Sequence, residues 1–178
     1  MNDWSNLKDG ELLLAYASLM EELRARGIVR SSNNPVGDVT EFLVARALGL
    51  NLLGQSAAGH DATDTSGVRY QIKGRRPTEH NKSVQLGIMR NLELRPFDVL
   101  AAVIYSSTFS VSYAALIPIE VVSEFGSFSK HSNGQVFHFR RSLLNDPRVT
   151  DITVKVSATQ QGAPADVLAS ASLQQERG

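Results

Sequence analysis

Between Pro96 and Ser106 the chain reads Phe97, Asp98, Val99, Leu100, Ala101, Ala102, Val103, Ile104, Tyr105, and Asp98 alone interrupts the apolar run. A strand facing water on one side would alternate. A near-continuous run of this length is what a strand covered on both faces requires, so it predicts the centre of a sheet with helices on each side. The stretch 68–73 behaves differently: Val68, Tyr70 and Ile72 are apolar while Arg69, Gln71 and Lys73 are polar. That period of two describes a strand with one buried and one presented face. The two strands together predict an α/β fold, a central mixed β-sheet flanked by helices.

The alternating strand has a partner just upstream. Thr65, Ser66 and Gly67 form a candidate three-residue hairpin loop, with glycine at the left-handed position such loops favour. In that register Asp61 lies opposite Gln71 and points the same way as Lys73, whereas Asp64 is sent to the other face. A carboxylate and a side-chain amide oxygen are hard ligands suited to Mg²⁺, which keeps several waters and takes one or two protein carboxylates. Phosphodiester hydrolysis uses what such a site supplies: a bound water of lowered pKa and neutralised phosphoryl charge, with Lys73 to orient the nucleophile or offset developing charge.

The Asp61, Gln71-Ile72-Lys73 arrangement resembles the PD-(D/E)xK nuclease superfamily, in its QxK variant, and is similar to Mrr-like and type II restriction-endonuclease-like proteins. His60 stands where the name-giving proline would be, and Gln71 removes one anionic ligand from the usual set. The resemblance spans about residues 34–105. It implies a restriction-endonuclease-like core and a Mg²⁺-dependent DNA endonuclease of the restriction or repair type, acting as a homodimer, with Mn²⁺ as a possible substitute ion. The substitution at Gln71 also keeps open a nuclease-like module that has lost catalysis and serves DNA binding or assembly. A third reading is an unrelated α/β protein whose polar face at 68–73 is a solvated strand.

Upstream, residues 34–49 read as a helix, with Val39, Phe42, Leu43, Ala45 and Leu48 at helical spacing and Gly49 as terminator. Many members of the superfamily carry a glutamate on this helix that contacts the metal through water. Glu41 matches that position, so the resemblance implies Asp61, Gln71 and Glu41 around the metal and Lys73 beside them. Asp38 shares the helix face with Glu41. For both acids, the plainer role is to favour the positive end of the helix dipole.

Zero formal net charge hides an uneven distribution. Residues 69–95 carry seven basic side chains (Arg69, Lys73, Arg75, Arg76, Lys82, Arg90, Arg95) against Glu79 and Glu93, while residues 1–68 hold nine acids and five bases. A positive zone beside the hairpin is what a phosphate backbone would seek, and Arg69, Arg75, Arg76 and Lys82 are the expected DNA contacts. A solvated, arginine-rich surface is the bland alternative.

The 178 residues are enough for one domain and too few for two ordinary ones. That domain is placed at 1–156, with 157–178 as a flexible tail rich in Ala, Ser, Gln and Gly. With no cysteine, disulfides and thiolate metal sites are excluded. No basic and apolar leader opens the chain and no run approaches a bilayer span, so the expected location is cytoplasmic. A first helix over 10–27 carries Leu12, Leu13, Tyr16, Leu19, Met20 and Leu23 in a stripe suited to the core or to a dimer contact. Further expectations are a short strand at 50–53, a helix at 83–92, a strand at 110–117, a helix from Pro118 through 125, a late strand at 136–140 and a short helical piece before 152–156. Trp4 and Tyr105 are expected to pack as buried aromatics.

Overall fold

The computed structural model describes residues 4–31, 34–54 and 59–162. Its core is a six-stranded mixed sheet in the order β1-β2-β3-β4-β5-β8. The strands are β1 (Asn51–Leu52), β2 (Ala62–Thr63), β3 (Arg69–Arg75), β4 (Val99–Tyr105), β5 (Val111–Pro118) and β8 (Thr150–Asp151). β3 and β4 run parallel and the other neighbours run antiparallel.

The run expected at the sheet centre lies there. β4 is flanked by β3 and β5, and its residues divide by parity between two cores. Ala101, Val103 and Tyr105 face α2 (Val36–Leu48) and α4 (Thr153–Gln160), where Leu43, Val44, Ile72, Ile152 and Val156 join them. Leu100, Ala102 and Ile104 face the other layer with Leu86, Phe97, Phe137, Phe139 and α3 (Ile119–Phe125). Two buried faces explain why Asp98, just before the strand, is the run's one polar residue.

The approach of α2 to β3 depends on Gly74. A Cβ there would stand 2.0 Å from Thr40 Oγ1, so only glycine lets the helix lie this close. Thr40 in turn bonds Val36 O at 2.6 Å and Tyr105 Oη at 3.1 Å, which locks the helix to the central strand.

Several expectations need correction. Residues 83–92 are not helical. Leu86 and Met89 are buried there, but their N–H groups donate to Phe137 O at 2.9 Å and Gln135 O at 3.1 Å, so the segment is an extended strip bridged to 135–139. Gly87 and the β-branched Val84 and Ile88 weaken any competing helix. Only Leu92–Leu94 closes, as a 3-10 turn. The late strand is shifted: β7 (Gly134–Val136) pairs with β6 (Ser127–Ser129) in a separate hairpin. The stretch 152–156 begins α4, which runs to Gln160 and buries Val156 and Thr159. Residues 163–178 of the expected tail lie outside the described residues.

The first helix, α1 (Asp9–Ala25), forms where expected but leaves its stripe uncovered. Met20 is buried, whereas Leu13, Tyr16 and Leu19 are 70%, 51% and 57% exposed, so the stripe is not core. Trp4 is also half-exposed beside it, contrary to expectation, while Tyr105 is buried. No helix among the described residues is long and apolar enough to cross a membrane.

Candidate active site

The hairpin register follows the parity of the sequence. Ala62 pairs with Tyr70 and Thr63 with Arg69, which continues to Asp61 opposite Gln71. Asp61 donates its N–H to Tyr70 O at 2.8 Å. Its carboxylate accepts from the Gln71 side-chain amide and, at 2.6 Å, from the Ile72 N–H. The Ile72 bond lies just past the last β2–β3 ladder pair, so the Asp61 side chain replaces the missing neighbour strand for this N–H.

Asp64 takes the other face. It accepts from Ser66 N at 2.8 Å and Val68 N at 3.0 Å, and from Tyr70 Oη at 3.2 Å. These bonds build the turn in which Gly67 adopts φ 83°, a left-handed conformation that a side chain would strain. Asp64 is thus a turn residue, remote in orientation from Gln71 and Lys73.

Across β3 and β4, Gln71 pairs with Leu100, Lys73 with Ala102 and Arg75 with Ile104, which places all three β3 residues on one sheet face. Lys73 is half-buried, and its ammonium makes no hydrogen bond or ion pair with any described residue. Its Cδ lies 3.8 Å from where a Cβ on Gly87 would sit, so the 83–89 strip passes directly over it. A methyl at 87 would make an ordinary van der Waals contact with the lysine stem.

Glu41 comes from α2. Its side chain is 18% exposed and pairs with the Arg30 guanidinium. Burial raises its pKa, and the charge of Asp61 raises it further, against the lowering effect of Arg30. The two carboxylates therefore feel one another, although they come from helix and hairpin. Asp38 is occupied elsewhere: it accepts from Arg30 N at 2.8 Å and Ser31 N at 2.7 Å. Burial would raise its pKa, but these backbone donors outweigh that and hold it below the usual carboxylate range. It serves as a clamp on the segment entering α2.

Arg30 is the residue that sequence reasoning missed. Besides Glu41, it donates from Nη1 to Leu53 O at 2.9 Å, tying the turn before α2 to the end of β1. No local spacing marks it, because its partners are 11 and 23 positions away in the chain.

The basic residues are divided in what they do. Arg69 is fully engaged: it bonds Asp98 through Nε at 3.0 Å, Nη2 at 2.8 Å and its backbone N–H at 2.9 Å. Those hydrogen bonds pull Asp98 down to about 2. Arg75 donates to Ser83 O at 3.2 Å, and Arg76 donates to Ser107 O at 2.8 Å while stacking 4.6 Å over Phe109. Each retains further N–H groups. Arg75 and Arg76, with Asn34, Gly37, Thr78 and Asn81, line a cleft of ≈ 440 Å³ at the ends of β3 and the start of α2. Lys82 is exposed in the following loop.

Among the described residues no three His, Cys, Asp or Glu side chains gather as a ligand cluster. Asp61 and Gln71 meet directly, and Glu41 on α2 senses the charge of Asp61.

The chain matches no family model and no curated protein. Among solved structures it is similar to a bacterial homing endonuclease, I-Ssp6803I, at 18% identity and a TM-score of 0.39, over 84% of this chain and 100% of that one.

Proposed function

We propose that this chain is a Mg²⁺-dependent DNA endonuclease of the restriction or repair type, with a restriction-endonuclease-like core and Mn²⁺ as a substitute ion. The observation that supports it best is the meeting of Asp61 and Gln71 on the β3 face that also carries Lys73, whose ammonium has no partner among the described residues. Two carboxylates and an amide suit an ion that keeps most of its waters. Asp61 and Gln71 would hold the metal directly, the latter by turning its amide oxygen inward, and Glu41 would reach it through water.

Bound there, Mg²⁺ would supply a water of lowered pKa and charge for the phosphoryl oxygens. The chain's own residues do the rest. The Lys73 ammonium would orient a water or offset charge on the phosphate. Arg30 holds Glu41 in place and favours its ionised form. Arg75, Arg76 and Lys82 grip the DNA backbone, and Arg69 stiffens the start of β3 through Asp98.

A second reading has an observation of its own. Gln71 donates to Asp61 and Arg30 neutralises Glu41, so the cluster is satisfied without a cation. That is what an inactive DNA-binding or assembly module would show. The deciding experiment is cleavage of supercoiled and linear DNA with Mg²⁺ or Mn²⁺, comparing the natural chain with Lys73→Ala. Metal-dependent cutting lost in the variant supports the nuclease; binding without cutting under every condition supports the module.

A homodimer belongs to the same reading. The uncovered leucines of α1 are its candidate contact, since an isolated helix of this length is marginal without burial of an apolar stripe.

A further inference from the structure

A second cleft, of ≈ 540 Å³, opens on the side of the molecule where the 83–89 strip covers β3. Its lining differs in kind from the arginine-lined cleft. Three side-chain amides (Asn91, Asn133, Gln135), the Glu93 carboxylate and the Ser123 hydroxyl surround it, with the Phe128 ring at one wall and Met89 beneath. Phe128 is 65% exposed, a large cost for an aromatic side chain with no ring or cation partner among the described residues.

We infer that this cleft receives a nucleobase of the bound DNA and helps set which sequence is used. The inference rests on the endonuclease reading for its ligand. Amides offer donor and acceptor together, the pattern with which Asn and Gln read base edges, and a carboxylate accepts from an exocyclic amine. A single exposed aromatic face is a stacking platform for any base. Phosphate is the wrong occupant, because Glu93 faces the cleft and no cation lines it. Cations stand near it instead: Arg90 donates to Ser132 O at 3.5 Å across the β6–β7 turn, which also contains Lys130. The cleft is joined to the chemistry by the chain itself. Gly87 lies against Lys73, and Met89, two residues on, lines the cleft.

The test is binding of a DNA duplex by the full chain while abasic sites are moved through it, for the natural protein, Phe128→Ala and Glu93→Gln. Both positions are exposed, so neither variant threatens the fold. In the natural protein one position should lose affinity about 10-fold when its base is removed, the scale of one base–aromatic stack. Phe128→Ala should lose a similar amount on intact DNA and nothing more at that abasic position, and Glu93→Gln should change which base is preferred there. Identical abasic profiles for all three proteins would overturn the inference while leaving the endonuclease standing if Lys73-dependent cutting persists. Base-dependent binding without any cutting would support the cleft and sink the nuclease. Failure to bind DNA at all would remove both.

Discussion

Gln71 gives its side-chain N–H to Asp61, and the same carboxylate oxygen takes the Ile72 backbone N–H at 2.6 Å. One aspartate therefore both closes the edge of β3 and stands as candidate metal ligand. The two roles separate by substitution. Asp61→Ala leaves the Ile72 N–H without its acceptor and should cost about 1–3 kcal/mol of stability. Asp61→Asn keeps an acceptor and should unfold near the natural melting temperature. Both should lose at least about 10²-fold in cleavage, the scale on which a group stabilising transition-state charge acts. Melting curves paired with a cleavage assay check this. An Asn variant that melts normally and cuts normally would remove Asp61 from the site.

Glu41 makes a prediction about pH. Its pKa is raised by burial and then by Asp61, with Arg30 opposing. A carboxyl raised above its unfolded value contributes stability that is complete below that value, near 4.5, and lost as pH rises through the folded one. The natural chain should therefore lose stability relative to Glu41→Gln as pH climbs above 4.5. Divalent cations should reverse the trend, because they favour the ionised pair. Chemical denaturation of both proteins across pH, with and without Mg²⁺, measures this. Parallel stability curves would show that the Glu41 carboxyl is not raised in the folded chain.

Arg69 and Lys82 should part company under salt. Arg69 is committed to Asp98, whereas the exposed Lys82 ammonium pairs with no described residue. Lys82→Ala should lower the slope of log affinity for DNA against log salt by about 1, one phosphate contact. Arg69→Ala should leave that slope nearly unchanged and lower the melting temperature instead. Asp98 adds a pH signature: held at about 2, it contributes stability present above 3.8 and lost as pH falls through about 2. Arg69→Ala should abolish that acid-side loss. A full unit change of salt slope in Arg69→Ala would instead make it a phosphate contact.

The sequence made the hairpin legible because strand parity is strict: once Gly67 fixes the turn, counting places Asp61 with Gln71 and turns Asp64 away. β4 was legible for a similar reason, since burial on both faces removes polar residues from every position. Arg30 was not legible, because its contacts with Glu41 and Leu53 are made by folding and no local pattern records them. The 83–92 segment misled for a definite reason. Leu86 and Met89 have helical spacing, but an extended strip that bridges to 135–139 buries the same two side chains. α1 shows the converse, a regular stripe that faces outward, so its period revealed the helix without revealing what covers it.

That outward stripe makes an oligomer prediction. If a second copy covers it, Leu13→Glu, at a position 70% exposed, should leave the monomer fold intact and shift sedimentation from dimer to monomer. The natural chain should sediment as a dimer at micromolar concentration. A natural chain that remains monomeric would mean that some other partner, or none, meets α1.

The close approach of α2 to β3 at Gly74 bears on the site directly. Gly74 sits one residue beyond Lys73, and a Cβ there would meet Thr40 Oγ1 at 2.0 Å and Thr40 Cβ at 3.0 Å. Gly74→Ala should therefore push α2 from β3, costing about 1–3 kcal/mol as overpacking does. Because Glu41 is next to Thr40 on α2, the same shift should move its carboxyl from Asp61 and weaken Mg²⁺ binding. Thr40→Ala alone removes the bonds to Val36 and Tyr105, yet in the double variant it clears the nearest atom from the new methyl. The double variant should thus be more stable than the sum of the single losses allows, a coupling read from a double-mutant cycle. Strict additivity would show that α2 and β3 are not in the contact described.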